Sequence, residues 1–327
     1  MDQTPETPPP ATFRATCVDD LVAMAPIAIG FHPRRSIVMM TFGGPAPFHA
    51  RVDLPDDPDD VDLVVATLLA PARRHRVERV VFLIYAPHGP VVLPLATELR
   101  DGFRVTGFDV LDVLRVADDH WFAVLPGHPS VHYDGVPFDT ATHPFTARAV
   151  VDGHVTLGSR EEVRRSIEPD PDGVARSRAV VAAGGTGPSS EDQVVAVVAR
   201  GTVAGVAPHD DEVVGLALAV RDGAVRDLVW AGLDRRVAPV HVDFWRDVVR
   251  RLPEELVASP AAVLAFCAWL AGDGALAWCA VDRAEAAVSG HSLARLVGEL
   301  LTTATPPSAW TSLQAGLRLG DGVGDVA

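Results

Sequence analysis

Hydrophobic and polar residues follow two different periods in the first half of the chain, one typical of strands and one typical of helices. Short apolar runs rich in β-branched residues predict strands at residues 36–42, 48–54, 79–85, 107–116 and 120–125. Segments with apolar residues three to four positions apart predict helices at residues 19–29, 61–76, 91–100 and 160–167. Strands that alternate with helices predict an α/β domain, in which helices cover a mixed sheet.

Helix-end residues support two of these boundaries. Gly30 follows the first predicted helix and can adopt the left-handed backbone conformation that often ends a helix. A run of prolines and aspartates at residues 55–60 precedes the second helix. Carboxylates at such a position accept hydrogen bonds from free backbone N–H groups and lie at the positive end of the helix dipole.

The second half of the chain has a helical period throughout and no convincing strand. The predicted helices are residues 190–200, 210–231, 240–251, 259–271, 275–288 and 291–304. The hairpin at 261–289, with Gly272 and Asp273 at its turn, resembles one tetratricopeptide unit. A generic helical hairpin is the alternative, because no second repeat follows at a spacing of about 34 residues.

Prolines, glycines and polar residues divide the chain into regions. Residues 127–154 are rich in His, Pro, Gly and Asp and predict a long surface loop with at most a short helix. ProAspProAspGly and GlyGlyThrGlyProSerSer have the composition of a linker. We therefore expect a disordered leader at 1–11, an α/β domain at 12–168, a linker at 169–190, a helical domain at 191–305 and a flexible tail at 306–327.

The composition is that of a folded protein, and two absent residue types exclude several chemistries. Hydrophobic residues make up 48% of the chain and charged residues 22%. All 28 basic residues are Arg, so a Schiff-base lysine, a P-loop lysine and a kinase-type lysine are excluded. The chain also contains no Asn, which excludes Cys-His-Asn catalysis.

Charge and cysteine content bear on partners and compartment. The formal net charge is −15 with the acidic residues spread along the chain, so we expect neither nucleic acid nor an anionic membrane as a partner. Three cysteines without a CxxC pair favour a reducing compartment. The first ten residues, MDQTPETPPP, lack the apolar core of a signal peptide, and we expect a cytoplasmic protein.

Four stretches of the chain together resemble a known family. They are IleGlyPheHisProArgArgSerIleValMet at 29–39, ArgValAspLeuPro at 51–55, GlyAspGlyAlaLeuAlaTrpCysAlaValAspArg at 272–283 and SerLeuAlaArgLeu at 292–296. In this order they resemble the actinobacterial family called domain of unknown function 4192. The resemblance implies a hydrophobic helix that enters a GlyPheHisPro turn, a closing helical hairpin and a bacterial cytoplasmic setting. The family carries no assigned activity.

One stretch departs from the pattern of that family. Members commonly carry cysteines and a ProProGluGly-like segment after the Trp-containing strand. This chain has LeuProGlyHisProSerValHisTyrAspGlyValPro at 125–137 instead. A thiolate-based metal or redox role for that loop is therefore in doubt here.

Histidines are concentrated in and beside the predicted loop, at His120, His128, His132, His143 and His154. Imidazole and carboxylate groups are ligands of divalent metals, and His128 and His132 are the candidates for a metal site. Pro129 argues against a helix that would present both rings on one face. Scattered loop histidines are the alternative, and we expect no cofactor.

Ligands of open α/β sheets gather at the carboxyl ends of strands, which gives a second set of candidates. The candidate ligand-binding residues are His32, Ser36, Arg51, Asp53, His88 and Arg115. Such a set could hold a small anionic or polar ligand. The structural alternatives are a turn histidine bonded to backbone carbonyls at His32 and an ion pair between Arg51 and Asp53, which share a strand face.

Two hypotheses about function follow from the sequence. The first is a non-catalytic protein that binds a small molecule or a protein partner, with the helical domain as the docking surface. The second is a lysine-independent hydrolase with its site at the strand ends of the α/β domain. A hydrolase requires two or more titratable groups within hydrogen-bond reach in a concave pocket, whereas a docking protein requires an exposed apolar groove.

Overall fold

The structure, a computed structural model, describes residues 14–44, 48–151, 156–185, 187–188, 190–310 and 314. The chain divides into two compact units, residues 1–158 and residues 159–327. The first unit contains a six-stranded mixed sheet, the second consists mostly of helices, and the chain is 57% helical overall. The predicted fold class is therefore confirmed. The predicted leader at 1–11 lies outside the described residues.

Sheet and helices alternate in the first unit. In chain order it contains α1 (Val18–Ile29), β1 (Ser36–Phe42), β2 (His49–Asp53), α2 (Val61–Arg74), β3 (Arg79–Tyr85), α3 (Val92–Val105), β4 (Asp109–Ala117), β5 (His120–Ala123), α4 (Val131–Asp134), β6 (Val136–Pro137) and α5 (Pro144–Val151). α1 ends at Gly30, whose φ of 84° and N–H bond to Pro26 O are those of a left-handed helix cap.

The strand order of the sheet is β2-β1-β3-β4-β5-β6. β3 and β4 are parallel, and α3 forms the crossover between them, as a parallel pair requires. The other neighbouring strands are antiparallel. The start of β1 therefore lies between the end of β2 and the end of β3, where Ser36 has Asp53 and Tyr85 as its register partners.

One face of the sheet packs against α1. Register partners on neighbouring strands point to the same face, and successive residues of one strand point to opposite faces. Val38, Leu83 and Leu114 are register partners. They form a buried cluster with Val22 and Ala25 of α1, and this surface is called the α1 face below.

The opposite face of the sheet packs against α3. Phe82 of β3 lies on this face, one residue from Leu83, and its ring contacts that of Phe103 edge-on at 4.8 Å between centroids. Leu95 and Leu99 of α3 are fully buried. This surface is called the α3 face below.

The second unit is built around one apolar helix. In chain order it contains α6 (Arg160–Arg165), α7 (Pro171–Ala182), α8 (Glu191–Ala204), α9 (Asp210–Ala219), α10 (Gly223–Trp230), α11 (Ala238–Arg251), α12 (Glu254–Ala271), α13 (Gly274–Ala287) and α14 (Ser292–Thr302). Every residue from 256 to 270 in α12 is buried. α11, α13 and α14 pack around it.

The composition of α12 explains why it also passes a test for membrane helices. The helix is long and apolar enough to cross a membrane, but 83% of its apolar window is buried inside the protein. A core helix has this property, so α12 is no sign of a membrane protein. The cytoplasmic localisation stays a prediction.

Residues 171–182, which the sequence predicts as part of a linker, form α7. Asp170 accepts a hydrogen bond from Gly173 N at 3.0 Å, and Pro171 occupies the first helical turn. Both are residues that start helices, which explains why linker composition was misleading here. α7 packs against α9 and α11 within the second unit.

Three further elements differ from the prediction. The helix expected at 210–231 is two helices, because Asp222 accepts a bond from Ala224 N and starts α10. Trp310 lies in the predicted tail but is buried, and its Nε1 donates to Leu233 O at 2.9 Å. α12 and α13 do form a hairpin with Gly272 at its turn, but its tetratricopeptide likeness is not confirmed.

Candidate functional site

The predicted site at the strand ends contains one pair of residues in direct contact. Arg51 Nη2 lies 2.6 Å from Asp53 Oδ1, and the Arg51 guanidinium lies 5.8 Å from the ring centroid of Phe31. Asp53 is exposed at the end of β2, an edge strand. The contact is thus the intra-strand ion pair that the sequence left as the structural alternative.

Ser36 lies beside Asp53 in register but cannot reach a ligand. Its side chain is completely buried, and its Oγ has no hydrogen-bond partner in the described part of the chain. Tyr85, the other register partner of Ser36, also has a buried hydroxyl without a partner, and burial raises the pKa of this phenol. Both hydroxyls belong to the interior of the sheet and not to an accessible site.

Arg115 lies on the α3 face, opposite the face that carries Ser36 and Asp53. Its register partners are Ile84 and Phe122, and its guanidinium carbon lies 3.6 Å from the Phe122 ring centroid. Its Nη1 donates to Ala86 O at 3.3 Å. Burial lowers the pKa of Arg115. These contacts make it a packing residue of the sheet.

His32 and His88 are both exposed. The backbone N–H of His32 donates to Leu157 O at 2.9 Å, next to a β-bridge between Phe31 and Leu157. Neither imidazole has a recorded contact with the other four predicted residues within the described part of the chain. Of the six predicted residues, the structure therefore brings only Arg51 and Asp53 into direct side-chain contact.

The histidines of the 120–154 segment contact single carboxylates or rings. His128 Nε2 lies 3.1 Å from Asp112 Oδ1, and the rings of His128 and His132 are 5.7 Å apart. His132 packs edge-on against Trp121 at 4.8 Å. Among the residues that the structure describes, no three His, Cys, Asp or Glu side chains gather as a metal site requires. His154 lies outside these residues.

Two acidic residues at the start of α1 connect this segment to the helix. Asp19 Oδ1 accepts a hydrogen bond from Trp121 Nε1 at 2.9 Å, and Asp20 Oδ1 lies 3.2 Å from His143 Nε2. Burial opposes ionisation of Asp20, but hydrogen bonds from Thr16 and Cys17 outweigh it and lower the pKa of this carboxyl.

A Ser–His pair that the sequence did not suggest lies in the second unit. Ser259 Oγ is 3.1 Å from His291 Nε2. His291 Nδ1 accepts a bond from the backbone N–H of Ala294 at 3.4 Å, so Nε2 of the neutral ring carries the proton and donates it to Ser259. Burial lowers the pKa of His291, which favours this neutral form. The ring cannot act as a general base toward the serine, and the pair caps the start of α14.

A cavity of about 500 Å³ lies in the second unit between α6, the start of α12 and α13. Volumes of about 300 to 1,000 Å³ are typical of small-molecule sites. The cavity is lined by Arg160, Glu161, Arg164, Ile167, Glu168, Pro169, Glu254, Cys279, Asp282 and Arg283. Cys279 and Arg283 are four residues apart on α13, as are Arg160 and Arg164 on α6, so each pair shares a helix face.

Ion pairs within the lining neutralise part of its charge. Arg164 Nη2 lies 2.6 Å from Glu161 Oε1, and Arg164 Nη1 lies 2.8 Å from Glu168 Oε1. No such contact is recorded for Glu254 or Asp282 within the described residues. Both of these side chains are exposed and retain carboxylate oxygens that can accept a bond from a ligand.

Arg283 is a residue of the lining with unused hydrogen-bond donors. Its Nη1 and Nη2 are buried and have no hydrogen-bond partner among the residues that the structure describes. Burial lowers the pKa of Arg283, and the nearby carboxylates of Glu254 and Glu168 oppose this effect. A guanidinium stays protonated at neutral pH, so the lining includes a charged group whose two outer nitrogens are buried and unpartnered.

Cys279 is a poor nucleophile within this cavity. Its side chain is buried, and burial raises the pKa of the thiol, although Arg160 hydrogen-bonds to it and opposes the shift. Thiolate is the reactive form of cysteine, so little of it is present at neutral pH. The cavity therefore combines charged binding groups with a weakly reactive thiol.

Comparison with known proteins identifies a family but no function. The sequence model of the family described as Domain of unknown function (DUF4192) matches residues 19–308. No curated protein and no solved structure matches the chain. The match spans both units, from the start of α1 to beyond α14, as the four resembling stretches led us to expect. The chain thus belongs to the domain of unknown function 4192 family.

Proposed function

We propose that this protein is a non-catalytic binding protein that holds a small, carboxylate-bearing ligand in the cavity between α6, α12 and α13. The observation that carries the proposal is a cavity of about 500 Å³ whose lining includes Arg283, a guanidinium whose buried outer nitrogens have no hydrogen-bond partner among the described residues. Buried polar groups in proteins are almost always hydrogen-bonded. A carboxylate, which accepts two parallel bonds from a guanidinium, is the chemical partner that Arg283 fits.

Energetics support an anionic contact at this position. A partly buried charge without a partner lowers stability, because desolvation is not offset by a hydrogen bond. A bound carboxylate would supply the missing hydrogen bonds. The weakly reactive Cys279 and the absence of Lys support a binding role over catalysis.

Other roles stay predictions of the sequence. Docking of a protein on the helical unit has only scattered exposed apolar side chains in its favour, such as Val195, Leu228 and Leu296, and single exposed apolar residues are common on any protein. A hydrolase at the strand ends has no observation in its favour and is not proposed.

Thermal unfolding in the presence of small anions tests the proposal. The probes are acetate, succinate, inorganic phosphate and the proteinogenic amino acids, each at about 10 mM. A probe with a dissociation constant near 1 mM should stabilise by about 1.4 kcal/mol, which raises Tm by about 3 to 6 °C for a domain of this size. We expect at least one carboxylate probe to do so with the wild type.

Two variants test whether the Tm increase comes from binding at Arg283. Arg283→Gln removes the charged fork and should weaken binding about tenfold or more, which abolishes the Tm increase. Because Arg283 has no hydrogen bond to lose, its substitution should not lower Tm without a probe. Arg165→Gln makes the same charge change on α6 outside the cavity lining and should respond like the wild type. No Tm increase with any probe, or an equal increase in Arg283→Gln, would overturn the proposal.

A further inference from the structure

The proposed function requires only that the ligand has a carboxylate. The charges around Arg283 restrict the chemical class of the ligand further. The lining carries three arginines and four acidic residues, so its formal sum is 3 − 4, which is −1. Arg164 engages two of the carboxylates, those of Glu161 and Glu168. The acidic side chains left over are Glu254 and Asp282.

These two carboxylates line the same cavity as the Arg283 guanidinium. Asp282 precedes Arg283 on α13, and Glu254 at the start of α12 is close enough to raise the pKa of Arg283 through its charge. A phosphate or a dicarboxylate would have to lie beside these negative groups. Like charges within one cavity repel, which disfavours a ligand with two or more negative charges.

We propose that the ligand is zwitterionic, with a carboxylate held by Arg283 and an ammonium or guanidinium group held by Glu254 and Asp282. This inference rests on the proposed function and names its ligand class. Such a ligand places a negative group at Arg283 and a positive group at Glu254 and Asp282. Because the ligand has no net charge, the net charge of the site stays unchanged. Ile167 and Pro169 form an apolar wall that a ligand side chain could contact.

Matched probes that differ by one charged group test the inference. L-leucine has both groups, 4-methylpentanoate lacks the amine and 3-methylbutylamine lacks the carboxylate. L-phenylalanine, 3-phenylpropanoate and 2-phenylethylamine form a second set with a larger side chain. Isothermal titration calorimetry of the full-length chain with each probe gives the dissociation constants.

We expect at least one of the two amino acids to bind, with a dissociation constant at least tenfold lower than those of its acid and its amine. Glu254→Gln with Asp282→Asn should remove the advantage of the amino acid over its acid and leave the affinity for the acid equal or higher. Arg283→Gln should weaken amino acid and acid alike.

The two proposals fail in different ways. If an acid binds within about twofold of its amino acid, or if the Glu254→Gln, Asp282→Asn variant keeps the tenfold preference, the ligand is not zwitterionic and the carboxylate site remains. If succinate binds through Arg283 and neither amino acid does, the zwitterionic ligand is excluded while the proposed function stands. If phosphate is the one probe that binds, both proposals are contradicted. If no probe of either experiment binds, both proposals fall.

Discussion

Burial determines how several ionisable side chains of this chain behave. Removal from water is the main cause of the pKa shifts of His49, Cys267 and Arg283. Loss of hydration disfavours the charged form of any side chain, so His49 and Arg283 become harder to protonate and Cys267 harder to ionise. For His49, the consequence is that the stability of the protein depends on pH. For Cys267, the consequence is that the thiol reacts only when the protein is unfolded.

The His49 ring should make the protein sensitive to mild acid. Burial lowers the pKa of His49 to about 4, from 6.5, and its Nδ1 accepts a bond from Thr41 N at 3.2 Å. Between these two values the unfolded chain binds more protons, so the free energy of unfolding falls as the pH drops from about 6.5 toward 4. His49→Gln keeps an acceptor but does not titrate. We expect this variant to lose about 1 to 2 kcal/mol less than the wild type between pH 7 and pH 4.5.

Urea unfolding at the two pH values measures this difference. His120→Gln is the control, because the ring of His120 is only partly buried on β5 and its recorded bond is to Asp118 O. An equal loss of stability in the wild type and His49→Gln would show that the ring of His49 is protonated in the folded state.

The three cysteines should differ in reactivity. Cys17 is exposed, whereas Cys279 and Cys267 are buried and burial raises the pKa of both thiols. Because thiolate is the reactive form, iodoacetamide at pH 8 should modify Cys17 first and Cys279 at least tenfold more slowly. Cys267, in the centre of α12, should react only after denaturation. Peptide mass spectrometry over time gives the order, and native labelling of Cys267 as fast as that of Cys17 would contradict the packing of α12.

At the scale of elements, the strands and their neighbouring helices could be predicted because each carries its own signal. The runs at 36–42 and 79–85 match β1 and β3 residue for residue, since a strand buried on both faces is apolar throughout. α7 could not be predicted from the same composition, because Asp170 and Pro171 suit both a linker and a helix start. Its packing against α9 and α11 decides between the two, and packing is not local information.

Two helical glycines should respond in opposite ways to replacement by alanine. A Cβ at Gly201 of α8 would overlap the ring of Phe244 on α11, whereas a Cβ at Gly298 of α14 would make an ordinary 3.8 Å contact with Val281. Alanine is favoured over glycine in helices by about 1 kcal/mol. Gly298→Ala should therefore stabilise by about 0.5 to 1 kcal/mol, and Gly201→Ala should destabilise by about 1 to 3 kcal/mol from overpacking.

Chemical denaturation of the two variants gives both free energies on one scale. The Gly298→Ala variant serves as the control for helix propensity, because both substitutions lie within helices. A stabilising Gly201→Ala would mean that α8 and α11 do not approach each other at this glycine as the structure describes.

At the scale of the whole molecule, the sequence predicted the fold class but not the candidate site. Alternating periods predicted the α/β half, and a continuous helical period predicted the other half. The cavity is assembled from α6 and α13, which are more than 100 residues apart in the chain. Arg283 and Glu254 occupy helix positions where charged residues are usually solvated, so neither has a local signal. The stretch at 272–283, which carries part of the family resemblance, does contain Cys279, Asp282 and Arg283.

The overall charge of the molecule agrees with a neutral ligand. The formal net charge of −15 produces a negative field that slows the approach of anions and favours cations. A zwitterion has no net charge to be repelled, and only its carboxylate end must meet Arg283. The field and the lining therefore favour the same ligand class.

The methyl group of one isoleucine is a direct NMR probe of whether the cavity of the second unit binds a small ligand. The chain contains five isoleucines, Ile27, Ile29, Ile37, Ile84 and Ile167, of which only Ile167 lines the cavity. Selective ¹³C labelling of isoleucine δ1 methyl groups gives five NMR signals, and Ile167→Val identifies the signal of interest by its loss.

Titration with L-leucine and L-phenylalanine to about 10 mM then reports on the cavity alone. A ligand in the cavity should cause a saturable shift of the Ile167 signal with at least one of the two, no shift of the other four signals, and no shift of Ile167 in Arg283→Gln. An Ile167 signal that stays unchanged throughout the titration, or that shifts equally in Arg283→Gln, would contradict the account.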